Sequence, residues 1–316
     1  MLSNEQLSGL AERLRTQSLS EDQTENLFQK AIDSEYWRTL CPELGVGSKQ
    51  DLACVQAAPL SLEQAAWACA HLERHGYFQI PRIIAPATVT RMYKCVDILH
   101  SSGWPPVFSF VYDEFWAIVR TPSVVNFLSH KLGAGYVQGM GVWTYRVDPQ
   151  VRASGWEPHV DSRNDDERIT VWIPLTDATI ANGCMYVIPQ DRVPQSLPAC
   201  YEDWSGVSHD ELAILLRHVT PLPAVAGSIL GWNNSLIHWG GRALEQSAFP
   251  RISIGVEFMS KQSKPRSWET PVFDLKLPDF AARIRAIGQS VRYYAKFETA
   301  MRKYCELATK LCEWNS

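Results

Sequence analysis

From about residue 136 to residue 259 the chain breaks into short β-rich runs separated by Gly, Pro and Asn: 136–147, 168–176, 184–189, 226–232 and 251–259. Several brief strands with turn signals between them constrain the fold to a sandwich or barrel. Within 168–176 the aliphatic residues Ile169, Val171, Ile173 and Leu175 alternate with Thr170, Trp172, Pro174 and Thr176. Period-two alternation puts the aliphatic set on one face and Trp172 on the other. Asn182-Gly183 marks a turn into the next strand.

Helical patterns flank this region. Ser20-Glu21-Asp22-Gln23 and Ser61-Leu62-Glu63-Gln64 both fit the capping box and predict helices at about 20–37 and 61–74. A third helix is expected from Thr88 to His100, stopped near Pro105-Pro106, and Gly76–Pro81 reads as a short strand. From Asp279 on, Phe280, Ile284, Ile287, Val291, Tyr294, Phe297, Met301, Tyr304, Leu307 and Leu311 recur at steps of three and four. That stripe predicts a helix broken at Gly288 and packed on the β core, with a homodimer seam as the alternative use. The expected division is an N-terminal helical extension over 1–60, a β domain over 61–260 and a C-terminal helical extension over 261–316.

Charge and composition exclude several classes. With 30 Lys+Arg against 34 Asp+Glu, the net charge of −4 argues against a nucleic-acid binder, which needs a basic surface for phosphates. The segment 1–16 is polar and helix-like, and no apolar stretch reaches about 18 residues, so neither a secretory signal nor a membrane span is expected. The reading is cytoplasmic. The eight cysteines are scattered without a C-x-x-C pair and are expected to be reduced.

Of the eight histidines, two sit in contexts that look like sites. His159 and Asp161 are two apart in Pro158-His159-Val160-Asp161-Ser162, and an extended segment can point both to one side. Far downstream, a strand-like run delivers His238 into a Gly-rich turn. Two His and one carboxylate suit non-haem Fe(II), leaving half an octahedron open. Arg251 opens a mostly apolar strand and shares a face with Ser253, a placement suited to a bidentate grip on a carboxylate. Ferrous ion and Arg251 together balance Asp161 and a dicarboxylate co-substrate, which a buried site tolerates. His71 and His75, four apart on a helix, lack a third ligand and read as structural, and residues 164–168 read as a solvated loop. Trp104, Trp116, Trp143, Trp156, Trp172, Trp232 and Trp239 fall in segments expected to form the barrel and its mouth, as core or as a pocket for an apolar or ring-bearing substrate.

Taken in order, the segments around His75–Pro81, PHVDS, VWIPLTDATIANGCMYVIP, IHWGG and PRISIGVEF resemble the phytanoyl-CoA dioxygenase family of Fe(II)/2-oxoglutarate oxygenases over about residues 75–260. The resemblance implies a mainly β fold with flanking helices, a double-stranded β-helix (jelly-roll, cupin-like) core. It implies that His159, Asp161 and His238 bind iron and that Arg251, helped by Ser253, binds the distal carboxylate of 2-oxoglutarate. Trp172 and Thr144 are implied to line the co-substrate. The family often carries Ser two residues after its second histidine, where this chain has Gly240. With 2-oxoglutarate and O2 as co-substrates, the implied reaction releases succinate and CO2. It hydroxylates an unactivated C–H bond of a small metabolite, in keeping with biosynthetic tailoring. Desaturation, cyclisation or epoxidation, a CoA- or carrier-bound substrate, a non-redox metal enzyme and a non-catalytic ligand-binding protein are the alternatives.

Overall fold

The computed structural model describes residues 18–47, 52–151, 153–162, 167–193, 207–266 and 272–314; the expectations for the segment 1–16, for 164–166 and for Cys200 lie outside these residues. Helices come first. Ser20 and Gln23 form a complete capping box at α1 (Glu21–Ala31). The single helix expected over 20–37 is interrupted at Ile32-Asp33, because Asp33 Oδ1 accepts the Glu35 N–H and starts a second helix, α2 (Ser34–Leu40). The restart turns Trp37 into the core. A second capping box, Ser61 with Gln64, opens α3 (Leu62–His75), and Gly76 ends it in the left-handed region at φ 81°. The chain continues through β1 (Tyr77–Ile80), α4 (Pro86–Ser101), a 3-10 segment at Pro106–Val111, α5 (Asp113–Ala117) and α6 (Pro122–Leu132). Proline at the first turn of α4 and of α6 costs neither helix a hydrogen bond.

The β-rich half then supplies β2 (Val137–Val147), β3 (Arg168–Pro174), β4 (Met185–Ile188), helix α7 (His209–Arg217), β5 (Thr220–Leu222), β6 (Ile229–Asn233), β7 (Ile237–Gly240) and β8 (Arg251–Met259). Two antiparallel sheets result, one of five strands in the order β1-β6-β3-β8-β2 and one of three in the order β5-β4-β7. Short bridges Ser154↔Arg242 and His159↔His238 lay the segment before Asp161 alongside β7. The expected Gly-rich turn around His238 is in fact strand, paired with Val187 of β4. The short β5 carries Pro221 and showed no alternation.

Strand parity sorts the large sheet as the alternation requires. Ile169, Val171 and Ile173 of β3 and Ile252, Ile254 and Val256 of β8 point to the helical side and join a hydrophobic cluster running from Ala31 to Leu311. Trp172, Leu230 and Trp232 point the other way, onto Met185, Val187 and Leu222 of the small sheet. This is the double-stranded β-helix, with the interior between its sheets left for a site.

The C-terminal stripe divides into α8 (Phe280–Tyr294), a 3-10 segment at Thr299–Tyr304 and α9 (Cys305–Glu313). The break falls after Tyr294 and not at Gly288, and Phe297, counted in the stripe, is 60% exposed. Ile284, Ile287 and Val291 are buried within the chain itself. Ser290 Oγ accepts the Val142 N–H (3.2 Å) and donates to Met140 O (3.3 Å), which pins α8 to β2. Gly288 is glycine because a Cβ there would stand 2.8 Å from Ala308 O of α9. The described cysteines are free, and among the described residues no helix is long and apolar enough to cross a membrane.

Replacing Gly288 by Ala should therefore destabilise the protein. The usual helical gain of about 1 kcal/mol is outweighed by about 1–3 kcal/mol of overpacking between α8 and α9, a sign that equilibrium denaturation reads directly.

Candidate metal centre

His159 and His238 exchange both backbone hydrogen bonds, N–H to carbonyl at 3.0 and 2.9 Å, so the two imidazoles stand side by side with ring centroids 4.4 Å apart. Each Nδ1 lies beside the carbonyl two residues earlier, Glu157 O at 2.6 Å and Leu236 O at 3.0 Å. A carbonyl can only accept, so Nδ1 carries the proton and Nε2 keeps its lone pair. Asp161 faces them from the other side. Its Oδ1 is 3.6 Å from both Nε2 atoms, too far for a hydrogen bond. Its Oδ2 accepts from Thr170 Oγ1 (2.8 Å) and Trp232 Nε1 (3.1 Å). Thr170 and Trp232 are register partners on β3 and β6, and together they leave one oxygen of Asp161 free to point at the imidazoles. Ligand atoms of the three residues all lie within 4.8 Å of one another, an arrangement that could hold a metal ion.

Electrostatics agree with that use. Burial pushes the His238 imidazole down to about 4, so it is neutral near pH 7. Burial also works against charge on His159, but the adjoining Asp161 carboxylate outweighs it and raises this imidazole. Burial would raise Asp161 too; the charges of the His238 and His159 rings and the Thr170 hydrogen bond hold it well below the usual carboxylate range. A carboxylate that stays ionised beside a neutral imidazole is the donor set a divalent cation takes.

Deeper between the sheets, Arg251 is 1% exposed and has no carboxylate partner among the described residues. Its Nη1 donates to Ser253 Oγ (3.2 Å), while Nε and Nη2 are buried without partners. Burial pulls the guanidinium down to about 10, still charged at neutral pH. Its central carbon lies 5.7 Å from the Trp172 ring and 6.0 Å from Tyr145, and Trp172 Nε1 is likewise buried with no acceptor. Three idle donors around one buried cation form a seat for an anion.

Of the residues expected at the site, His159, Asp161, His238, Arg251, Ser253 and Trp172 come together, and Thr144 does not. Thr144 pairs with Ile254 on the helical side, where its hydroxyl bonds Ser109 Oγ at 2.7 Å. Its neighbour Tyr145, opposite Ser253, takes the inward place. Trp143, Trp156, Trp172 and Trp232 gather around the site. Trp104 and Trp116 pack instead among the helices, against Trp37 and Phe110, and Trp239 stacks on Tyr186. Arg168, expected in a solvated loop, is 1% exposed and donates to Glu257 Oε1 at 2.6 Å. Glu257 also accepts from Asn234, whose Oδ1 accepts from Thr170 (3.3 Å). This chain of bonds leads back to Asp161. Sequence reasoning missed Thr170, Trp232 and Tyr145, although the parity that turned Trp172 inward also turns Thr170 inward.

The departure at Gly240 has a steric cause. A Cβ there would lie 2.8 Å from Gly155 Cα and 3.0 Å from Arg251 Nη2, and one at Gly155 would lie 2.5 Å from Gly240 Cα. Two glycine backbones touch where a side chain would enter the Arg251 seat. Gly240→Ser should lower stability by about 1–3 kcal/mol in a thermal melt. Trp232→Phe keeps the ring but removes a donor to Asp161, and should weaken Fe(II) binding about 10–100-fold in an anaerobic titration.

The family model for phytanoyl-CoA dioxygenase (PhyH) matches residues 112–252. The fold is shared with the non-heme alpha ketoglutarate dependent epimerase SnoN from nogalamycin biosynthesis, at 16% identity over 63% of this chain and 84% of that one, with a TM-score of 0.51. SnoN in complex with Fe3+, alpha ketoglutarate and nogalamycin RO compares similarly, at 15% identity over 63% and 85% with a TM-score of 0.52. The non-heme monooxygenase ThoJ in its nickel complex gives 14% over 67% and 85%, with a TM-score of 0.50. None of the curated proteins compared matches the chain. At such identities the structures speak for the fold, and the part of the chain similar to the phytanoyl-CoA dioxygenase family spans the His-Asp-His cluster and most of both sheets.

Proposed function

We propose that this protein is a dioxygenase that hydroxylates an unactivated C–H bond of a small-molecule metabolite in a biosynthetic tailoring step, consuming 2-oxoglutarate and O2 and releasing succinate and CO2. His159, Asp161 and His238 would hold Fe(II), which when bound supplies the activation of O2. Arg251, oriented by Ser253 and assisted by the indole N–H of Trp172, would bind the distal carboxylate of 2-oxoglutarate. The observation that carries this reading is the fully buried guanidinium with idle Nε and Nη2, next to a cluster with the donor set of an iron site. A buried cation without a counter-charge is costly, and an anionic co-substrate relieves that cost.

The remaining residues act on the surroundings of the chemistry. Thr170 and Trp232 keep Asp161 aimed at the imidazoles, and the aromatic walls exclude water, which protects a reactive site from side reactions. On this site the substrate's pose would decide among hydroxylation, desaturation, cyclisation and epoxidation.

Anaerobic titration with Fe(II) and 2-oxoglutarate tests the site through the visible charge-transfer band of the chelated complex. Wild type should develop the band and Asp161→Ala should show none. Arg251→Ala should need at least about 100-fold more 2-oxoglutarate, the usual loss when one partner of a buried charge pair is removed. Wild-type protein that binds neither iron nor 2-oxoglutarate would refute the reading.

A further inference from the structure

Among the described carboxylates near the metal cluster, Glu298 is met by neutral donors. Asp161 belongs to the metal cluster, and Glu257 is paired with Arg168 and Arg266. Glu298 arrives from the segment after α8, and its Oε1 accepts from Trp143 Nε1 and from Trp156 Nε1, both at 2.9 Å. Both partners are neutral, and no cation stands against Glu298 among the described residues. Burial pushes its carboxyl up, which the two indole hydrogen bonds only partly oppose. A desolvated carboxylate without a counter-charge is unfavourable, as for the guanidinium of Arg251, and it is relieved when a cation arrives.

Its position ties it to the active site. Trp156 lies with its ring 5.9 Å from that of His159 and 5.2 Å from Tyr145. Trp156 therefore stands between the metal cluster and Glu298, its ring beside His159 and its indole N–H donating to Glu298. Tyr145, Trp156, His159, Tyr294 and Glu298 are all partly exposed, so this side of the metal cluster is open to an incoming molecule. Aromatic faces surround the carboxylate: Tyr294 lies 4.3 Å from Trp143 and 4.9 Å from Trp156, and the exposed Phe297 lies 5.9 Å from Trp156. Ring faces beside a carboxylate favour an ammonium group over a hydroxyl of the same size.

We propose that Glu298, framed by Trp156 and Phe297, is the receptor for an ammonium group on the substrate, so that the metabolite oxidised here is an amine. The assignment rests on the reading that this side of the metal cluster takes the substrate. Glu298 and Phe297 come from the C-terminal segment, which thereby becomes a specificity element of the site.

Isothermal titration calorimetry with benzylamine and benzyl alcohol, near neutral pH where the amine is protonated, separates charge from shape. The protein is tested anaerobically, loaded with Fe(II) and 2-oxoglutarate, and again metal-free. Wild type should bind benzylammonium at least about tenfold more tightly than the alcohol in both forms. Glu298→Gln keeps a carbonyl to accept from the indoles but loses the charge, and should bring the two probes to near equality with an unchanged melting temperature. Equal binding of both probes to wild type, binding of neither, or a preference that survives in Glu298→Gln would overturn the proposal. Because the preference does not depend on iron, its failure is distinguishable from a failure of the metal titration.

Discussion

The pair of backbone hydrogen bonds between His159 and His238 is the constraint on which the candidate centre depends. A histidine ligand is useful only if its Nε2 is aimed, and the aim here comes from main chain on both counts. The bridge sets where the rings start, and carbonyls at Glu157 and Leu236 fix which nitrogen is bare. The bridge forms because the segment before Asp161 lies beside β7, and β7 is held by β4. The small sheet is thus mainly a frame for two imidazoles. The large sheet supplies the third donor's support, since Thr170 and Trp232 project from adjacent strands onto one oxygen of Asp161.

Charge organises the rest of the interior. Three titratable groups there have no Lys, Arg or carboxylate partner among the described residues: Asp161, facing two imidazoles, Arg251, with a serine and two aromatic rings, and Glu298, with two indoles. In a low-dielectric interior each is costly alone, and each is placed where a bound species of opposite charge would lower that cost. The Gly155–Gly240 contact serves the same end by steric means, since a side chain at 240 would intrude on the guanidinium. Remote packing keeps these groups in position. Glu298 follows α8, which is pinned to β2 through Ser290 and closes against α9 at Gly288.

Much of this was legible in the chain. Alternation in 168–176 assigned both faces of β3 correctly, the two capping boxes formed as expected, and His159, Asp161 and His238 converge. Each departure has its own physical cause. Thr144 was placed inward by a one-residue slip, and on a strand one residue is the whole difference between the two faces. The C-terminal helix was broken at the wrong residue because Gly288 looked like a helix breaker, when it is a contact point between helices. Trp104 and Trp116 were counted with the barrel because sequence proximity says nothing of which layer a tryptophan joins. Arg168 was read as a loop residue because a charged side chain at a strand end is ordinarily solvated, and its partner Glu257 is distant in sequence.

Local pattern by itself determined which segments are strand or helix, which face of a strand is apolar, and which residue types could form a metal centre. These depend on period, capping and chemistry, all of which are written within a few residues. Only the tertiary structure decided which idle donors share a cavity, that Asp161 is steered by Thr170 and Trp232, that Gly240 must lack a side chain, and that Glu298 joins the site from the far end of the chain. Those are relations between residues brought together by sheet register and helix packing, and the free energy of an unpaired buried charge depends on what surrounds it in space.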